Sequence, residues 1–131
     1  MPKHDFETLL LEAVDEGLSS LGDSSKQAIY YHLKKSFNVK KREIPYKIEA
    51  FASAIEKIFG LGANFLEILI VKRLYEKIGR SFKWHRSEDD FTFTEHVAFA
   101  KLSFLEKKKR TKELVQYKEK VMEDFNIYET A

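Results

Sequence analysis

The side chains able to do chemistry in this chain are few and scattered. His85 and His96, with Glu88, Asp89, Asp90 and Glu95 between them, are residue types that ligate metals. Their spacing matches no established metal-binding pattern, and acidic surface turns are common for solubility alone. His4 and His32 read as surface residues. Ser24 and Ser25 have no base nearby in sequence and read as helix caps rather than nucleophiles. Gly60-Leu61-Gly62 lacks the Lys-Ser/Thr or third glycine of a phosphate-cradling loop, and a turn between helices explains it. No catalytic set and no cofactor motif emerges, so the chain reads as a non-enzyme.

Glu67 is the most informative single residue. It sits inside the run Ala63-Asn64-Phe65-Leu66-Glu67-Ile68-Leu69-Ile70-Val71, and a carboxylate in such surroundings is costly to bury unpaired. On one reading it occupies a wet edge, pairs with Lys72 or Arg73, or caps a neighbouring helix. On the other it faces a pocket or an interface.

Charge is uneven despite a net of only +2. Residues 1–23 carry one base against six acids, a net of −5. Residues 24–47 carry seven bases against Glu43, a net of +6. Compensation between adjacent helices is the plain interpretation. The alternative is a basic partner-binding face made by Lys34, Lys35, Lys40, Lys41 and Arg42. With Tyr30-Tyr31-His32 alongside, that segment suits nucleic-acid backbone contact and base stacking. Helices two and three have helix-turn-helix proportions. The would-be recognition helix, however, exposes Lys47, Glu49, Ser53, Glu56 and Lys57, a mixed surface with two acids that phosphates repel.

The elements that must position these groups are helical. The fold expected is all-α, about five helices in one domain. A first helix over about 5–21 carries the stripe Phe6, Leu9, Leu10, Ala13, Val14, Leu18 and Leu21, weakened locally by Gly17 and closed by Gly22 in a left-handed cap. The second opens with Ser24 and Gln27 at capping-box spacing and runs to Phe37, burying Ala28, Ile29, Leu33 and Phe37, with Asn38 as its cap. Val39–Glu43 is a short basic connector, and Pro45 falls in the first turn of helix three. Ile48, Phe51, Ala52, Ile55, Ile58 and Phe59 form the stripe of that helix. Helix four, about 62–78, is apolar nearly all round and is expected to be the central element.

Residues 81–94 alternate apolar and polar around Ser87-Glu88-Asp89-Asp90, a β-hairpin pattern. Thr92 and Glu95 form a capping box that argues against it, and a loop with aromatics tucked on the core is favoured over a short ribbon. The last helix spans about 94–125. Its first half belongs to a core of about 5–105. Residues 106–113 then have no apolar face, and Leu114, Val115, Tyr117, Val121, Met122 and Phe125 resume helical spacing. Such an arm, 106–125, must cover another surface, either by folding back or by meeting a second subunit. Leu114, Val115, Val121, Met122 and Phe125 are therefore the second set of candidate partner-binding residues.

No apolar run reaches the ~18 residues of a membrane span. The start, Met1-Pro2-Lys3-His4-Asp5, lacks a secretion signal, so a cytoplasmic location is expected. With no cysteine there is no disulfide and no thiol chemistry.

The runs Leu11–Gly22 and Ala28–Leu33, followed by Phe37, Ile44-Pro45 and Ile58–Ala63, together resemble a family of small archaeal proteins that also serves as the output domain of some archaeal signalling proteins, the nitrosopumilus output domain. The resemblance covers roughly Phe6 to Gly79 and matches the long 94–125 segment only loosely. It implies an archaeal source and a regulatory role, and it brings no reaction, ligand or catalytic residue with it. The function expected is a regulatory or protein-interaction module that binds itself or another protein, with nucleic-acid binding through 34–42 as the alternative.

Overall fold

A computed structural model describes residues 5–80 and 92–129, with side chains described as far as residue 122. The chain is all-α: α1 (Phe6–Ser19), α2 (Asp23–Phe37), α3 (Ile48–Phe59), α4 (Ala63–Lys77) and α5 (Phe93–Glu129), with 3-10 helices η1 (Lys41–Tyr46) and η2 (Gly60–Gly62). No strand occurs among the described residues. The hairpin pattern at 81–94 falls almost wholly outside them, on residues 81–91. No helix among the described residues is long and apolar enough to cross a membrane.

The chain divides into two compact units, residues 1–100 and 101–131. In the first, α1 packs on α4, α2 and η1, and α3 packs on α4 and α2. Leu10, Ala13, Val14 and Leu18 of α1 are buried completely or nearly so, as are Ile70 and Leu74 of α4, Leu33 of α2, and Phe51 and Ile55 of α3. The start of α5 joins this core through buried Phe93, Val97 and Ala100, with the Phe93 ring 6.2 Å from that of Phe51.

Several ends are set by the local chemistry that the sequence displays. The Asp5 carboxylate accepts the Thr8 N–H at 2.8 Å and opens α1. Asn38 takes the left-handed conformation (φ 55°, ψ 40°) and stops α2. Gly79 (φ 76°) stops α4 in a Schellman turn, in which the Arg80 N–H reaches the Tyr75 carbonyl and the Gly79 N–H that of Glu76. Thr92 and Glu95 make a reciprocal capping box at the head of α5.

Other expectations are corrected. Gly22 (φ 98°, ψ 151°) does not close α1 in a left-handed helical turn; it is the N-cap of α2, and neither Ser24 nor Ser25 caps. Leu21 is exposed because α1 has already ended, and Ala28 faces solvent while Tyr30 is buried. Pro45 lies in η1 rather than in α3, and the supposed basic connector is anchored by fully buried Val39 and Ile44. α4 is not apolar-buried all round: Phe65 is 75% exposed. The central position is shared with α1.

Gly17 shows why α1 carries a weak helix former in its middle. A Cβ there would lie 2.6 Å from Ile70 Cγ1 on buried α4. Gly17→Ala removes a helix penalty of ~1 kcal/mol but overpacks the seam at ~1–3 kcal/mol. The net effect expected is a loss of up to ~2 kcal/mol in urea unfolding. A more stable Gly17→Ala variant would show that the two helices can separate freely at this point.

Candidate functional site

The acidic face of α1 meets bases from three other elements. The Asp15 carboxylate accepts a hydrogen bond from the Tyr30 hydroxyl at 2.8 Å and lies 3.4 Å from both Lys26 Nζ and Lys41 Nζ. Burial works against the charge on Asp15, but the Tyr30 hydroxyl, Lys41 and Lys26 outweigh it and hold the carboxyl below its usual range. Burial and the Asp15 carboxylate together push the Tyr30 phenol upward. Lys77 of α4 reaches Glu12 and Glu16, and its hydrogen bond to Glu16 heads the causes that raise its pKa. A depression of ≈ 320 Å³ beside this network is lined by Thr8, Leu11, Glu12, Asp15, Glu16 and Lys41.

The candidate basic segment is thus partly committed. Lys41 pairs with Asp15 and sits 4.9 Å above the Tyr30 ring. Lys35 donates to the Tyr31 hydroxyl at 3.0 Å. Lys34, Lys40 and Arg42 are exposed and make no salt bridge among the described residues. The helix-turn-helix proportions are not realised, because residues 38–47, with η1 inside them, separate α2 from α3.

The metal candidates do not assemble among the described residues, where no group of three or more His, Asp or Glu is placed to hold an ion. His85 and Glu88–Asp90 lie outside those residues. Glu95 serves as the capping carboxylate, and buried His96 sets its ring edge-on to Tyr75, Nδ1 3.4 Å from the hydroxyl.

Glu67 does not pair with Lys72 or Arg73; Arg73 instead approaches Glu76 at 3.7 Å. The Glu67 side chain is half-buried, and its Oε1 is fully buried with no hydrogen-bond partner among the described residues. It lines a depression of ≈ 470 Å³ with Glu56, Gly60, Leu61, Ala63 and Asn64. Burial, then the like charge of Glu56, raises its pKa to about 7. Leu61 is fully exposed at the rim, and Phe65 lies on the same helix end. Reading α4 as uniformly buried hid this apolar patch, and the glycines either side of Leu61 were the one available sign of a protruding turn.

The second unit holds the other candidates. Leu114 is 59% and Met122 62% exposed, Val115 is exposed and Val121 half-buried; Phe125 lies on α5 beyond the described side chains. Leu102, Leu105 and Tyr117 are exposed as well.

No family model, curated protein or solved structure matches this chain.

A carboxyl whose folded pKa is raised favours folding while protonated, so its contribution is present below the unfolded value near ~4.3 and is lost as pH rises through about 7. Glu67→Gln is expected to melt higher than the parent at pH 8 and to converge with it near pH 4.5. Parallel pH–melting curves for the two proteins would show that Glu67 is well solvated.

Proposed function

We propose that this chain is a non-enzymatic protein-interaction module whose working surface is the arm of α5, Leu114, Val115, Val121, Met122 and Phe125. The observation that carries the reading is the exposure of large apolar side chains along residues 102–122 of a 37-residue helix. A helix stretch of this length is rarely sustained by propensity alone; in proteins most helical stability comes from burying an apolar face. An apolar stripe rimmed by charge is the usual mark of a protein-binding surface. The resemblance to archaeal output domains agrees with a regulatory role for such a module in the cytoplasm, the helical unit 1–100 acting as the scaffold.

Nucleic-acid binding through Lys34, Lys35, Lys40, Lys41 and Arg42 is the second reading, favoured by the exposed Lys34, Lys40 and Arg42 beside exposed Tyr31. The commitment of Lys41 to Asp15 weakens it.

The doubly substituted full chain Leu114→Glu/Val121→Glu is expected to lose self-association or partner capture by at least tenfold, with its melting temperature changed by no more than a few degrees. Truncation after Lys109 is expected to do the same. Undiminished association in both variants would place the function elsewhere. The basic-segment reading instead requires affinity for bulk nucleic acid that falls steeply with salt and collapses in Lys40→Glu/Lys41→Glu.

A further inference from the structure

The arm has a polarity as well as a stripe. Residues 101–113 carry six bases against two acids, a net of +4, while residues 114–129 carry two bases against four acids, a net of −2. Both segments belong to one continuous helix. On that helix Leu114 and Val121 are seven residues apart, with Phe104, Thr111 and Lys118 at the complementary heptad position and exposed Val115 and Met122 widening the apolar face.

We propose that the occupant of this stripe is a second copy of the same chain, its helix running antiparallel and the two crossing between Val115 and Val121. This deepens the arm-interaction reading and rests on it. Charge complementarity favours this orientation. A parallel pair would set the +4 halves side by side, Lys107–Arg110 of one copy against the same run of the other. An antiparallel pair brings each basic half toward the acidic half of its partner and overlaps the apolar middle of both helices. Complementary fields of this kind fix orientation more than they add affinity. Thr111 and Lys118 in the seam weaken the pairing while restricting its register.

The absence of cysteine makes the test clean, because a single introduced thiol is the only labelling site. Nitroxide labels are placed on exposed Glu106→Cys and, separately, on exposed Lys120→Cys in the full chain, and the inter-label distance is read by pulsed dipolar spectroscopy. At 1.5 Å rise per residue, antiparallel pairing puts the residue-106 labels ~30–40 Å apart and the residue-120 labels within ~20 Å. Short distances at both positions would mean parallel helices and overturn the proposal. So would the absence of dipolar coupling together with a sedimentation mass of 15.4 kDa for the unmodified chain. A monomer whose capture of a different protein is still abolished by Leu114→Glu/Val121→Glu would overturn the second-copy inference and leave the arm reading standing. An arm whose substitution changes neither mass nor capture would end both.

Discussion

The close approach of α1 to α4 at Gly17 and Ile70 is the constraint on which the first unit depends. With no side chain at Gly17, the buried Ile70 can press against the backbone of α1, and Leu10, Val14 and Leu18 share the resulting apolar interior with Leu66, Ile70 and Leu74. The same approach brings Lys77 within reach of Glu12 and Glu16 at the margin of the seam. Exposed ion pairs of this sort add only ~0.2–1 kcal/mol each. Their role is to let an acidic helix lie beside its neighbours without repulsion, while dispersion and apolar burial supply the attraction.

Asp15 extends that logic to the other side of α1. One carboxylate gathers the Tyr30 hydroxyl and the Lys26 and Lys41 ammonium groups, so α2 and η1 are both referred to the first helix. The opposite charges of residues 1–23 and 24–47 thus serve the fold in part, through Lys26 and Lys41. Lys34, Lys40 and Arg42 stay in solvent, and Glu67 holds a buried oxygen with no hydrogen-bond partner among the described residues, beside another acid. Neither feature contributes obviously to stability.

The second unit contrasts with the first. Where α1, α3 and α4 bury their stripes within residues 1–100, residues 101–122 of α5 leave every side chain exposed or half-buried. Apolar surface kept in water on a regular helix is unfavourable in isolation, and association is the simplest way to remove it. The division at residue 100 thus separates a part with a buried apolar interior from a helix whose described apolar side chains are exposed or half-buried.

Local chemistry was legible in the chain alone. Helix class, the Asn38 stop, the Gly79 stop and the Thr92–Glu95 box each depend on residues within one or two turns, and so did the apolar–basic–apolar order of the last helix. The tertiary structure decided what depends on separate elements meeting. Gly17 is a packing requirement because Ile70 lies against it. Val39 and Ile44 anchor a segment that composition marks as a connector, and Glu67 goes without Lys72 or Arg73 because bases five and six residues on lie on other faces of α4, Arg73 approaching Glu76 instead. Phe65 faces solvent although its helix reads as buried all round. Periodicity reports which side chains prefer a low-dielectric interior, but only the placement of the other helices determines how much of that interior exists around any one of them.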